Sequence, residues 1–230
     1  MFGVKMYLED NLLINRMKRL VFIVEGDTEV IFVNKSIIPY LYSLGFENPM
    51  YAQTILTNRK QHKKGGVINY QYLKNDINRV FAQENVIITT FIDFFRLPTN
   101  FPNFTTDSKL IHEIEEGVLS DFDNNENLIP YIQRHELEAL MFSKIDGFEI
   151  VIDESDKLET INEIINEFPN PEDINSNPEN APSKRLDRIY KYDKVADSEM
   201  IFDMLDVQSI MDKCPRFKNW LQTIIDKLSE

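Results

Sequence analysis

The chain predicts an α/β protein: a mostly parallel sheet flanked by helices, with a helical C-terminal extension. Three observations carry that prediction. Leu20–Val24 and Val86–Ile92 are short, β-branched-rich runs with no polar alternation, as expected of strands buried on both faces. Segments with apolar residues at helical spacing follow or separate these runs, and a strand–helix–strand–helix rhythm favours parallel pairing. After about residue 150 strand signals cease and helical patterning continues to Leu228.

Taken in order, Leu20–Val24 is a strand that ends in Glu25 and turns on Gly26. Asp27 and Thr28 supply N-cap chemistry for an apolar-periodic helix over Val30–Leu44. Tyr51–Leu56 reads as a short strand running into a basic loop, 57–66, closed by Gly65 and Gly66. Leu73, Ile77, Val80 and Phe81 predict a helix over Tyr70–Ala82, and Val86–Ile92 is a strand that stops at Asp93. A proline-bearing loop, 98–104, leads to an amphipathic helix over Ser108–Leu119. Leu128–Gln133 is a further strand, and Glu136–Phe142 a helix. Lys157–Phe168 is helical by pattern. The proline- and asparagine-rich stretch 169–182 is irregular, with Ser183 as N-cap of the next helix. Pro215 starts the last helix, in which Trp220 packs inward. The predicted organisation is therefore a leading segment 1–16 ahead of the internal Met17, a core 17–150, and an extension 151–230 packed on that core. The leading segment is either a short helix or the product of an upstream start.

A 43% hydrophobic and 11% aromatic composition is ample for a packed core, which excludes a disordered chain. One cysteine, Cys214, excludes an internal disulfide and is expected to be a packing residue at a helix entry. No apolar run approaches a membrane span and no secretory signal is evident, so a cytoplasmic protein without a membrane partner is expected. The net charge of −13 opposes broad contact with nucleic acid, because phosphate binding is Lys and Arg work. Basic residues are nevertheless clustered: Arg59, Lys60, His62, Lys63 and Lys64 in one loop, and Lys184, Arg185, Arg188, Lys191 and Lys194 further on. A local basic groove, or a partner that carries most of the contact, would satisfy both facts.

The chemistry-bearing residues stand at predicted strand ends. Glu25 follows the first strand, Asp93 the third, and His135, Glu136 and Glu138 the fourth, while Glu29 lies on the first turn of the first helix. Parallel strands would bring these acids to one edge, the edge where open α/β sheets bind ligands. Clustered carboxylates repel one another and accommodate a hard divalent cation, Mg²⁺ or Mn²⁺, that keeps waters and takes phosphate oxygens. Such a site suits metal-assisted phosphodiester cleavage. The competing reading is that Glu25, Glu29 and Asp93 cap helices and loops. A zinc protease is excluded because the second histidine of HExxH is missing, and neither a P-loop nor GxGxxG occurs. The loop around Lys63 and Lys64, with two glycines that let backbone approach a phosphate, is either a substrate contact or a solvated turn. Lys184 and Arg185, at a helix start, either clamp phosphate or pair with nearby acids.

Val24–Glu29, Ile92–Pro98, Pro130–Phe142, Ala181–Leu186 and Cys214–Trp220, with the basic stretch 62–67, resemble in sequence and order a known family. It is the Toprim-related family of proteins encoded beside ABC-type ATPases in bacterial anti-phage loci, the AriB-like effectors of the PARIS system. The resemblance spans nearly all of Lys18–Leu228. It implies a Toprim-like core and a toxic, Mg²⁺- or Mn²⁺-dependent nuclease controlled by a partner ABC-type ATPase, acting on RNA (tRNA being one candidate) in preference to DNA; the alternative is an inert regulatory subunit. Glu25 matches the Toprim glutamate and Asp93 the first acid of the DxD pair. Phe95 replaces the second acid, which leaves the number of metals open, with Glu136 or Glu138 as substitutes. A homodimer is left open.

Overall fold

The structure, a computed structural model, describes residues 17–58, 63–64, 69–174 and 178–230. The leading segment 1–16 and the basic residues Arg59, Lys60 and His62 lie outside the described residues. The sheet is parallel throughout. β1 (Arg19–Val24) lies between β2 (Met50–Thr54) and β5 (Val86–Asp93), with Leu20 beside Met50 and Val24 beside Phe91. β5 in turn pairs with β6 (Leu128–Ile129) and β7 (Ile132–Gln133).

The unbroken apolar run of β1 has a direct cause: both of its faces are covered. Leu20, Phe22 and Val24 enter one core, and Val21 and Ile23 the other. Alternate side chains point to opposite faces of a strand, so a strand between two helical layers is apolar on both faces rather than alternating with polar residues. One layer holds α1 (Asp27–Phe32), α2 (Ile38–Ser43) and the C-terminal helices. The other holds α3 (Tyr70–Phe81) and α4 (Ile111–Ser120).

The predicted helix over Val30–Leu44 starts earlier, at Asp27, and is not uniform. A π-helical turn, Val33–Ile37, separates α1 from α2, and the N–H of Ile38 reaches back five residues to the Val33 carbonyl. Pro39 follows directly; it has no N–H for the carbonyl four residues back, and its ring crowds that carbonyl, so a wider turn before it relieves both. The predicted strand Tyr51–Leu56 breaks at Ile55 into β2 and β3 (Leu56–Asn58). β3 pairs antiparallel with β4 (Lys63–Lys64), so part of the expected basic loop is a hairpin strand.

The predicted strand Leu128–Gln133 is likewise two strands. Pro130 offers no ladder N–H, and the Thr90 hydroxyl fills the gap: it donates to the Tyr131 carbonyl and accepts from the Tyr131 N–H, both at 2.8 Å. Glu136–Phe142 is not α-helical. Glu136 is extended, and Leu137–Ser143 forms a fully buried 3-10 helix.

Beyond residue 147 come α5 (Phe148–Val151), α6 (Ser155–Glu167), α7 (Pro182–Ile189), α8 (Ala196–Met204), α9 (Val207–Lys213) and α10 (Pro215–Leu228). The stretch predicted to be irregular contains two short 3-10 turns, Pro171–Asp173 and Pro178–Asn180. The first of them positions Glu172, whose carboxylate accepts the N–H groups of Arg216 and Phe217 at 2.9 and 3.1 Å and so satisfies the start of α10. Trp220, as expected, packs inward: its ring stacks on Tyr131 at 4.5 Å, and its Nε1 donates to the Thr89 hydroxyl at 2.8 Å. Phe202 of α8 lies 4.4 Å from Phe32. The C-terminal helices thus complete the layer on one face of the sheet. Among the described residues no helix is long and apolar enough to cross a membrane.

Candidate functional site: a buried acid cluster at the switch point of the sheet

The chain leaves β1 over one face to reach β2, then returns over the other face to β5 on the opposite side of β1. The carboxyl ends of β1 and β5 therefore flank the topological switch point, where the two connections diverge and leave a crevice. Glu25 follows β1 and Asp93 ends β5. The two meet: the Asp93 N–H lies 3.4 Å from Glu25 Oε2. Glu29, in the first turn of α1, folds back so that its Oε2 accepts the Gly26 N–H at 2.8 Å. Gly26 is suited to this close return, since a Cβ there would stand 3.1 Å from that same oxygen. Asp93 Oδ1 accepts the Leu137 N–H at 3.0 Å and so ties β5 to the 3-10 helix carrying Glu138.

Glu25, Glu29, Asp93 and Glu138 come together. Burial first, and the charge of Glu29 second, push Glu25 up to about 7. Asp93 is raised well above the ordinary carboxylate range by burial, then by Glu29, Glu25 and Glu138. Burial raises Glu29 as well. Glu136 is at the margin of the group. Both of its oxygens are held by Ser183, from the backbone N–H at 3.1 Å and the hydroxyl at 2.9 Å, and burial followed by the charge of Glu138 raises it. Ser183 is therefore not the N-cap that its sequence position suggested. Ala181 caps α7, Pro182 opens it, and Ser183 anchors Glu136.

Two residues not foreseen as site members complete the cluster. Lys194 Nζ lies 3.1 Å from Glu138 Oε1, and the hydroxyl of Tyr192 donates to the same oxygen at 3.3 Å. Tyr192 is 54 residues from Glu138 in sequence. The basic and aromatic residues of Tyr190–Val195 offered a weak signal, but nothing in their spacing identified the partner. Burial works against the Lys194 charge, yet attraction to Glu138, Asp93 and Glu29 outweighs it and the ammonium is held charged above its ordinary range. Glu138 Oε2 is buried and has no hydrogen-bond partner.

The remaining described candidates have these surroundings. Arg185 donates to the carbonyls of Asn180 and Ile174 at 3.0 and 3.3 Å and lies over Phe168 at 5.2 Å, so its guanidinium ties loops together. Lys184 is exposed and stands 3.6 Å from Asp187. His135 takes up left-handed backbone, φ 69°, and its carbonyl accepts the Phe95 N–H at 2.8 Å. Burial first and Arg134 second lower His135 to about 4, so it is neutral at pH 7. Arg96, next to Phe95, is also left-handed, φ 62°. Cys214 is buried at the entry to α10, and burial pushes its thiol up.

The family model for the domain of unknown function DUF4276 matches residues 24–225. The chain belongs to the DUF4276 family. No curated protein and no solved structure matches it significantly. In this DUF4276 chain the match opens just before Glu25 and runs into α10, so all five acids, Tyr192 and Lys194 fall within the family unit.

The donor set suits a hard divalent cation: carboxylate oxygens, more negative charge than Lys194 balances, and one buried carboxylate oxygen without a partner. Among the described residues no three His, Cys, Asp or Glu side chains are gathered to clasp an ion as they stand. Mg²⁺ tolerates few protein ligands, since it usually retains several waters.

Proposed function

We propose that this DUF4276 protein is a metal-dependent nuclease effector of an anti-phage system, hydrolysing phosphodiester bonds under the control of a partner ABC-type ATPase. RNA, with tRNA as the first candidate, is its favoured substrate over DNA. The observation that carries this reading is the convergence of Glu25, Glu29, Asp93 and Glu138 from separate elements on the switch-point crevice of a parallel sheet. Buried like charges cost stability, and clusters of them concentrate at functional sites. The substrate class and the ATPase partner follow from the resemblance to Toprim-related effectors.

In this reading Asp93 and Glu138, with Glu25, would hold the divalent ion, and the chemistry it would supply is Lewis-acid activation of water and neutralisation of charge on the departing oxygen. Glu25, which burial and Glu29 raise to about 7 in the metal-free site, would serve either as a ligand of the ion or as the base that accepts the proton of the attacking water. Glu29 keeps Glu25 raised and stays fixed by Gly26. Phe95 stands two residues after Asp93, where a second Toprim acid would stand, which favours a single ion.

Purified protein incubated with tRNA, total RNA and plasmid DNA, with Mg²⁺ or Mn²⁺ and with EDTA, tests the proposal. Metal-dependent cutting by the wild type that Glu25→Ala loses is the expected result. The ion pair of Lys194 with Glu138 favours the second reading, an inert regulatory subunit of the ATPase, because it partly neutralises the cluster without metal. Absence of cutting with the ATPase present would favour that second reading.

The basic hairpin gives a further expected result. Replacing Lys63 and Lys64 with alanine weakens substrate binding and lowers the slope of log K against log salt by about 0.7 for each lost contact to single-stranded RNA. An unchanged slope in a filter-binding salt series removes the hairpin from the substrate path.

A further inference from the structure

We propose that Lys194 is the site's built-in counter-ion, and that a divalent cation enters by displacing its ammonium from the acid cluster. The inference rests on the metal-dependent reading above and adds how the cation's affinity is set. Lys194 is the cation felt by Glu25, Glu29, Asp93 and Glu136, and it touches Glu138 directly at 3.1 Å. One positive charge thus stands where several carboxylates converge, the place a divalent ion would take.

An ammonium is an incomplete substitute. It donates hydrogen bonds but cannot gather carboxylates into a coordination shell, and it carries half the charge of Mg²⁺. The consequences are visible around it. Glu138 has no exposed surface, one of its oxygens is shared by Lys194 and Tyr192, and the other has no partner. The acids, meanwhile, are not gathered into a ligand set.

The route out is short. The side chain of Lys194 is 49% exposed although its partner is wholly buried, so the ammonium reaches inward from the surface on a flexible stem. The backbone beneath it is fixed: Asp193 Oδ1 accepts the N–H groups of Val195 and Ala196 at 3.1 and 3.0 Å, and Tyr192 is held by Ser198 at 2.6 Å. Rotation of the lysine stem frees the site without movement of the chain. Cation affinity is then lowered by the work of breaking the Lys194–Glu138 pair.

Calorimetric titration of the full chain with Mn²⁺ reads this directly, comparing wild type with Lys194→Met and Lys194→Gln. Both variants are expected to bind Mn²⁺ about tenfold more tightly or better, the size of an ordinary coupling between sites. Without metal they melt below the wild type, and Mn²⁺ raises their melting temperature by more than it raises that of the wild type. The two neutral replacements differ in polarity, so a folding defect in one leaves the other to report. If the wild type binds Mn²⁺ and the variants bind it equally or more weakly, Lys194 is not the competitor, while the metal-dependent reading stands. If neither wild type nor variants bind Mn²⁺ at millimolar concentration, the metal-dependent reading fails and this inference fails with it.

Discussion

Trp220→Ala lowers the free energy of unfolding by about 3–5 kcal/mol, the usual cost of removing a buried aromatic side chain. The Trp220 ring is nearly without exposed surface and meets Phe22 at 6.2 Å, Phe91 at 5.3 Å, Tyr131 at 4.5 Å and Phe217 at 5.5 Å. These partners come from β1, β5, the link between β6 and β7, and α10 itself. Alanine leaves a cavity that four aromatic neighbours cannot fill together, and the Thr89 hydroxyl loses its indole donor. Trp220→Phe keeps most of the volume and is expected to cost about 1–2 kcal/mol, part of it the lost hydrogen bond. Urea unfolding at constant m-value measures both. Near wild-type stability for Trp220→Ala would mean that the C-terminal helices rest on a core that folds without them.

Glu25→Gln separates chemistry from stability, with effects of opposite sign. Cleavage falls by about 10³-fold or more, as expected when a proton acceptor or metal ligand is removed from a catalytic group. The metal-free protein, in contrast, becomes more stable at pH 8. The Glu25 carboxyl titrates at about 7 in the folded chain and at an ordinary 4.5 in the unfolded one. A raised carboxyl favours the folded state while it is protonated. Its contribution is complete below about pH 4.5 and is lost as pH rises through about 7. Glutamine has no proton to lose, so the variant escapes that decline and gains about 1–3 kcal/mol over wild type at pH 8 in EDTA. Glu29 and Asp93, raised in the same direction, keep part of the pH dependence in the variant. Thermal melts from pH 4 to pH 8 in chelator provide the measurement. A variant less stable than wild type at pH 8 would make Glu25 a structural cap.

Much of the route to the site was readable along the chain. Glu25 and Asp93 end runs buried on both faces, apolar except for the hydrogen-bonded Thr89 and Thr90, and a carboxylate that ends such a run lies at the sheet edge. Gly26 next to Glu25 marked the turn. What misled was local pattern without its partner. Leu128–Gln133 has strand composition throughout, but Pro130 interrupts the ladder and Thr90 repairs it from the neighbouring strand. Leu137–Ser143 has helical spacing, yet its first N–H is claimed by Asp93, and the short buried segment winds as a 3-10 helix. For Arg185 the pattern left a phosphate clamp and a partner of nearby acids equally open, and it did not foresee the two loop carbonyls and the Phe168 ring that the guanidinium meets.

The sequence by itself determined the class of fold, the two-sided burial of β1 and β5, the inward placement of Trp220, and which acids stand at strand ends. Each of these follows from the period of apolar residues or from a turn residue, which act over a few positions. Only the tertiary structure decided that Glu138 rather than Glu136 joins Glu25, Glu29 and Asp93. It alone placed Tyr192 and Lys194 against Glu138 from more than fifty residues away. The reason is physical: a periodic pattern states which face of an element is apolar, whereas the partner of a buried charge depends on how the C-terminal helices pack across the sheet.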